Sequence, residues 1–261
     1  MAQSANLNVM RSAVEKAGRA LRRDFGEIEN LQVSKKGPGD FVTNADLRAE
    51  KILFEELSEA RPGYGFLMEE KGVVEGSDKT HRFIIDPLDG TTNFMHGIPH
   101  FAISVALERD GTLVAGVVYN PITDELFFAE RGQGAFGPSG RLRVAGRHQL
   151  SEAVLACGAP HGERAGREEF IAEAETLLPN IAGLRRFGAA SLYLAYVAAG
   201  RFDAFWERGL APWDMAAGIV LAREAGGLVS DFTNRQRMFD SGDILVGNEH
   251  MHAALLQNLK K

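Results

Sequence analysis

The sequence predicts a mixed protein, α+β in its first half and α/β in its second, on three observations. Met10, Ala13, Val14, Ala17, Ala20 and Leu21 recur at helical spacing, so residues 5–25 read as an amphipathic helix with a basic outer face. Phe101–Leu107 and Leu113–Tyr119 flank Arg109-Asp110-Gly111-Thr112, the pattern of a β-hairpin. From about residue 151 short apolar runs alternate with helical stretches, the rhythm of an α/β half. The expected organisation is one domain over 1–261, with sub-halves 1–150 and 151–261.

The remaining elements follow in order. Ser34-Lys35-Lys36-Gly37-Pro38-Gly39-Asp40 is expected to be a mobile loop, in which Lys35 and Lys36 either reach a phosphate or sit at a solvated tip. Thr43-Asn44-Ala45-Asp46 has the form of a capping box, and Ala49, Ile52, Leu53, Leu57 and Ala60 give the apolar stripe of the helix it opens. Capping alone accounts for Asp46. Pro62-Gly63 ends that helix, and Tyr64–Met68 reads as a strand leading into Glu69-Glu70. Glu125–Glu130 is a further antiparallel strand. In the second half the strands are Ala153–Cys157, Gly183–Phe187, Phe202–Trp206, Leu228–Ser230 and Ile244–Val246. The helices between and after them are Arg167–Leu178, Ala189–Ala199, Trp213–Ala225 and Glu249–Leu259. Asp214, in a first helical turn, reads as a dipole or capping residue, and Glu207 as a strand-end acid.

Composition narrows the function classes. The chain has 261 residues, 45% hydrophobic and 25% charged, which is ordinary for a globular protein. A net charge of −6 does not suggest a nucleic-acid surface. One cysteine, Cys157, leaves no disulfide framework and fits a reducing cytoplasm. No apolar run approaches the ~18 residues of a membrane span, and no apolar signal core opens the chain. Gly132-Gln133-Gly134-Ala135-Phe136-Gly137 matches a dinucleotide fingerprint, but Pro138-Ser139-Gly140 follows where a helix must open, so it reads as a glycine-rich turn. His96 and His100 stand four apart, yet Gly97 and Pro99 between them make them loop residues.

The stretch that carries chemistry is Arg82–Phe94. An apolar run, Phe83-Ile84-Ile85, ends at Asp86-Pro87-Leu88-Asp89-Gly90. Two carboxylates with a carbonyl between them form an all-oxygen cluster suited to a hard divalent cation such as Mg²⁺. Gly90, Thr91 and Thr92 then offer N–H groups and hydroxyls, a phosphate seat if a helix starts there. A plain tight turn is the competing reading of Asp-Pro-x-Asp-Gly. Glu69 ends the preceding strand and would meet Asp86 if the two strands are neighbours.

Asp86-Pro87-Leu88-Asp89-Gly90-Thr91-Thr92-Asn93-Phe94 resembles the signature of the inositol monophosphatase family. Trp213-Asp214-Met215-Ala216-Ala217-Gly218 and Glu224-Ala225-Gly226-Gly227 are similar to its second signature, Glu69-Glu70 lies in its usual place, and Thr43-Asn44-Ala45-Asp46 resembles its Thr-x-x-Asp. The likeness runs along nearly the whole chain and is strongest to the bacterial inositol-1-monophosphatase type.

The resemblance implies a five-layer αβαβα sandwich, as in inositol monophosphatases and fructose-1,6-bisphosphatases. It also implies Mg²⁺-dependent hydrolysis of a small phosphate monoester, lithium sensitivity and a homodimer. By matching position it implies that Glu69, Asp86 and the Leu88 carbonyl hold one Mg²⁺, that Asp86, Asp89 and Asp214 hold a second, and that Glu69 helps orient a third. Gly90 and Thr91 would bind phosphate. Thr91, with Asp46 and Glu69, would position the attacking water. Asp89, Gly188, Ala190, Glu207 and Asp214 would meet the sugar alcohol. Thr92-Asn93 favours the monophosphatase branch over the bisphosphatases.

Physical chemistry points the same way, because converging carboxylates repel by about 4 kcal/mol per pair at ~4 Å and an effective dielectric near 20. Such a cluster makes sense when cations fill it. The alternatives are a broader sugar phosphatase, acting on fructose-1,6-bisphosphate, glycerol phosphate or histidinol phosphate, and a metal-bound regulatory protein with low turnover. A dinucleotide-dependent oxidoreductase rests only on the glycine-rich turn.

Overall fold

The computed structural model describes residues 4–27, 33–37, 40–160 and 166–259. The chain opens with α1 (Ala5–Phe25), capped by the Ser4 hydroxyl, which accepts the Leu7 N–H at 3.2 Å. β1 (Val33–Gly37) and β2 (Asp40–Thr43) pair antiparallel, so the backbone expected to be a mobile loop over 34–40 is a bulged two-stranded ribbon. Residues 38 and 39, between the strands, lie outside the described residues, as do the side chains of Lys35 and Lys36. α2 (Asn44–Ala60) follows, with the predicted capping box formed by Thr43 and Asp46.

The first sheet combines β3 (Gly65–Met68), β4 (Gly72–Val74) and β5 (His81–Asp89) with a run of later strands. After the single-turn α3 (Thr91–Met95) these are β6 (Ala102–Arg109), β7 (Thr112–Asn120), β8 (Glu125–Glu130), β9 (Gly134–Gly137) and β10 (Gly140–Arg141). Their order is β10-β9-β8-β7-β6-β5-β3-β4, antiparallel throughout except where β3 runs parallel to β5. β6 and β7 form the predicted hairpin, but they lie mid-sheet between β5 and β8. Phe101–Leu107 is buried there.

The second half runs β11 (Val154–Cys157), α4 (Arg167–Leu177), β12 (Gly183–Arg185), α5 (Ala190–Ala198), β13 (Ala204–Glu207), α6 (Pro212–Glu224), β14 (Leu228–Ser230), α7 (Met238–Ser241), β15 (Ile244–Gly247) and α8 (Glu249–Asn258). Its sheet order is β12-β11-β13-β15-β14. β12, β11 and β13 are parallel, as the alternation predicts, while β14 and β15 make antiparallel pairs.

Burial divides the molecule into five layers. Leu7, Met10, Val14 and Leu21 of α1 and Leu53 and Leu57 of α2 pack on one face of the large sheet through Phe83, Ile85, Ile103 and Val117. The other face, with Ile84, Ala106 and Phe127, packs on α5 and α6 through Leu192, Ala217 and Leu221. The same two helices turn Tyr193, Leu194, Met215 and Ile219 toward Phe205 and Val246 of the small sheet. Leu177 of α4 and Met251 and Leu255 of α8 close the outside against Leu155 and Trp206. α5 and α6 are apolar on nearly every side because a sheet covers each face, as a helix sandwiched in a core must be. The αβαβα sandwich is therefore the observed fold.

One close approach sets the depth of α6. A Cβ on Gly116 of β7 would stand 2.5 Å from the Ala217 carbonyl oxygen and 2.9 Å from its Cα. Those are backbone atoms in the middle of a packed helix and have no rotamer by which to yield. Gly116→Ala is expected to cost about 1–3 kcal/mol, the usual range for overpacking. It is also expected to lower activity by shifting α6, which carries Asp214 near its N-terminus. A thermal melt beside a rate measurement checks both.

Candidate active site

The register of the large sheet builds the site. β3 and β5 are parallel neighbours, with Met68 opposite Ile85, so the next residues are Glu69 and Asp86. The Glu69 N–H donates to the Ile85 carbonyl at 3.2 Å and carries the ladder to that point. Two adjacent parallel strands thus deliver acids to one place. The strand does not stop at Asp86, as the sequence suggests. It continues to Asp89 through a bulge: Asp86 faces Ser104 and Asp89 faces Ala102, three residues against two. A bulge re-aims side chains, and this one holds Pro87 and Leu88 while Asp86 and Asp89 flank it. The Leu88 N–H closes it onto Asp86 Oδ1 at 2.9 Å.

Gly90 follows at φ +97°, a conformation that favours glycine, and from it α3 starts at Thr91. The helix that the phosphate reading required therefore opens immediately after the acids. The Thr91 hydroxyl lies 3.0 Å from Asp46 Oδ1 and 3.1 Å from the Leu88 carbonyl. Asp46 in turn accepts the Thr43 N–H at 2.8 Å and the Thr43 hydroxyl at 2.5 Å through its other oxygen. Capping explains only that half of its contacts, and the other half reaches Thr91. Asp46 is fully buried, and burial pushes its carboxyl up to about 6 against the hydrogen bonds that hold it down.

Two more helix N-termini converge here. Asp89 accepts the Ala190 N–H at 3.2 Å, the Ser191 N–H at 2.7 Å and the Ser191 hydroxyl at 2.5 Å. The start of α5 has no side-chain cap of its own; Asp89, a hundred residues earlier, supplies the carboxylate that suits a helix N-terminus. Asp214 Oδ2 accepts the Ala211 N–H at 2.7 Å in the first turn of α6. Asn93 ties the first half of the chain to the second, donating to the Phe187 carbonyl at 2.6 Å and also to the nearby His100 carbonyl at 2.7 Å.

Glu69, Asp86, Leu88, Asp89, Gly90, Thr91, Gly188, Ala190, Glu207 and Asp214 line one cavity of about 460 Å³. That volume is within the usual range for a small-molecule site. Of the predicted residues only Asp46 is off the wall, acting through Thr91. The same wall includes Asn93, already part of the first motif, and Gly158, Pro160, Arg186, Tyr193 and Leu210, which sequence reasoning passed over, and Ser191 stands behind Asp89. Apart from Asn93, nothing in their local sequence marks them; they arrive from strand ends, loops and α5, whose placement only the fold reveals. The glycine-rich turn is spent elsewhere. The Gly132 and Gly134 N–H groups donate to the Glu224 carboxylate at 2.9 and 2.8 Å, and β9 follows rather than a helix.

The electrostatics of the cluster decide what can fill it. Asp86 is raised well above the ordinary carboxylate range by burial, then by Glu69, Asp89 and Asp214 around it. Asp214 is raised likewise by burial, with Asp89, Glu69 and Glu207 adding repulsion. Burial brings Asp89 to about 6 despite its three hydrogen bonds. Among the described residues no three such side chains already close around a point as a finished metal site, and Asp86, Asp89 and Asp214 each accept a backbone N–H. The donor set is nevertheless all oxygen, with a backbone carbonyl and no sulfur or imidazole, and its mutual repulsion is what a hard divalent cation relieves. The residues fit Mg²⁺.

Comparison with known proteins follows the geometry. The inositol monophosphatase family matches residues 3–261. A curated relative, the inositol-1-monophosphatase of Mesorhizobium japonicum, is 60% identical over 261 residues, covering 100% of this chain and 98% of that one. A crystal structure of the extragenic suppressor protein suhB from Bartonella henselae superposes with a TM-score of 0.97 at 56% identity, covering 99% of each chain. A Nus factor SuhB of Pseudomonas aeruginosa is 44% identical over 258 residues, 97% of this chain and 95% of the relative.

A stability test follows from the raised carboxyls. A carboxyl whose folded pKa exceeds its unfolded value binds its proton more tightly when folded, so stability is lost as pH rises from the unfolded pKa through the folded one. In chelator, Asp86→Asn removes that loss. The variant is expected to melt progressively higher than wild type as pH rises from about 4 to 8. With Mg²⁺ in excess the order reverses, because the cation favours the charged acid. A difference that stays flat with pH and ignores Mg²⁺ contradicts this reading.

Proposed function

Because this chain belongs to the inositol monophosphatase family, we propose that it is a Mg²⁺-dependent phosphate monoester hydrolase whose substrate is inositol 1-phosphate or a close polyol phosphate. The observation that carries the proposal is the convergence of Glu69, Asp86, Asp89 and Asp214 on one cavity beside the start of α3. In this reading Glu69, Asp86, the Leu88 carbonyl, Asp89 and Asp214 hold two or three ions. Bound Mg²⁺ supplies an acidified water and neutralises charge on the phosphoryl oxygens.

The chain's own groups do the rest. The Gly90–Thr91 turn takes the phosphate at the helix start, with N–H groups and a hydroxyl turned toward anionic oxygens. Thr91, with Asp46 and Glu69, positions the attacking water, Asp46 acting through the Thr91 hydroxyl that it holds. Asp46, raised to about 6, is poised between proton acceptor and donor near neutral pH. Glu207 accepts hydrogen bonds from hydroxyls of the leaving polyol, and Gly188 and Ala190 leave room beside it. No covalent nucleophile is needed, since phosphoryl transfer rests on position and charge neutralisation. Cys157 fits that account: it is buried, and burial pushes its thiol up to about 12, far from a reactive thiolate.

A homodimer, lithium sensitivity and a cytoplasmic location belong to this reading through the family likeness. No described helix is long and apolar enough to cross a membrane. A regulatory protein with low turnover is the second reading, favoured by the Nus factor name among the relatives.

Phosphate release from inositol 1-phosphate, fructose-1,6-bisphosphate, glycerol phosphate and histidinol phosphate separates these readings. Turnover on inositol 1-phosphate is expected with millimolar Mg²⁺ and not in excess chelator. Full activity in chelator, or no turnover on any ester, rejects the proposal. Asp86→Asn keeps the shape of the side chain and loses its charge, and a fall in kcat of ~10³ or more is expected. Retention of a tenth of the activity removes Asp86 from the ion-binding set.

A further inference from the structure

β11 and β13 are parallel neighbours, with Cys157 opposite Trp206, so the next residues are Gly158, just past β11, and Glu207, the last residue of β13. The Gly158 N–H donates to the Trp206 carbonyl at 3.1 Å, which fixes the backbone there. A Cβ built on Gly158 would stand 1.7 Å from Glu207 Cδ, 2.0 Å from Oε1 and 2.2 Å from Oε2. The carboxylate therefore lies in the volume that any side chain at 158 would occupy. Gly158 is not among the residues at positive φ, so its backbone accepts any L-residue and only the space is at stake. Both residues face the cavity.

Gly158 differs in kind from Gly116. At Gly116 the obstacle is helix backbone, which cannot yield. At Gly158 it is the far end of one flexible side chain, which yields by rotating about its χ angles. A methyl group at 158 is thus compatible with the fold and incompatible with the present position of the Glu207 carboxylate.

We propose that Gly158 is a positioning residue for substrate recognition: by carrying no side chain it provides the niche that holds the Glu207 carboxylate where it meets the hydroxyls of the leaving alcohol. This rests on the reading of Glu207 as the polyol contact. The niche matters because a hydrogen bond to a charged acceptor depends on distance and angle, and a carboxylate swung out of its niche loses both. The substrate class it selects is the polyhydroxylated phosphate ester, as against a phosphate ester of a flat or apolar alcohol.

The test is a double-mutant cycle with Mg²⁺ in excess. Wild type, Gly158→Ala, Glu207→Ala and the double variant are assayed on inositol 1-phosphate and on p-nitrophenyl phosphate, with thermal melts alongside. The readout is the ratio of kcat/KM on the first substrate to that on the second. Gly158→Ala is expected to lower this ratio by roughly 10- to 100-fold, and Glu207→Ala by a similar factor. In the Glu207→Ala background the carboxylate that the new methyl displaces is gone, so Gly158→Ala should lower the ratio no further.

A Gly158→Ala ratio within twofold of wild type overturns the proposal, as does an equal further loss in the Glu207→Ala background. A ratio untouched by Glu207→Ala overturns the polyol reading itself, and this proposal with it. A Gly158→Ala protein that folds only when Glu207→Ala accompanies it supports the niche. A double variant that also fails to fold overturns it, since Gly158 then serves the backbone alone.

Discussion

Repulsion among buried acids is the constraint on which the rest of this structure depends. Glu69, Asp86, Asp89 and Asp214 share one cavity wall, and Asp86 is almost wholly out of solvent. Glu69, Asp89 and Asp214 raise the proton affinity of Asp86; Asp89 and Glu69 raise that of Asp214; and the fold keeps them together regardless. Removing charges from water and setting like against like is among the most expensive arrangements a protein can hold. The parallel register of β3 and β5, the bulge between Asp86 and Asp89, and the seating of α6 against Gly116 all serve to place those acids.

The fold manages that cost with helix starts. α2, α5 and α6 each begin beside the site, and each has a carboxylate on its first N–H groups: Asp46 on Thr43, Asp89 on Ala190 and Ser191, Asp214 on Ala211. The partial positive charge of a helix N-terminus offsets the carboxylate, and the carboxylate satisfies donors that would otherwise lack partners. Each acid is thereby shared between capping and the cavity. For these three residues the capping reading and the site reading describe two oxygens of one group, or one oxygen seen from two sides. Asp89 binds the two halves of the chain most directly, since it leaves β5 and caps α5.

Much of this was legible in the sequence, and the reasons differ by element. Helical spacing in α1 and α2 and the turn residues around them gave those elements, because each buries a single stripe against one sheet. The Asp-Pro-x-Asp-Gly stretch announced an acidic turn, but it reads as a stop, whereas the backbone runs on through a bulge to pair Asp89 with Ala102. The ribbon at β1 and β2 was missed because glycine and proline between short polar runs score as loop, and pairing with a neighbour overrode that local preference. The hairpin of β6 and β7 was found, but not its place mid-sheet, since position in a sheet is a long-range property. Ser191, Arg186 and Gly158 had no local signal at all. Their importance comes from what stands opposite them, and a single sequence does not carry that.

The central claim is that the acid cluster exists to hold cations, with protons as the stand-in when cations are absent. Calorimetric titration of the metal-free protein with Mg²⁺ near pH 6.5, repeated in buffers of different ionisation enthalpy, counts the protons exchanged on binding. The account predicts saturable binding accompanied by proton release, because carboxyls held above their ordinary range must ionise to become ligands. The release should shrink as pH rises. Saturable binding with no protons released, or no binding at millimolar Mg²⁺, would contradict it.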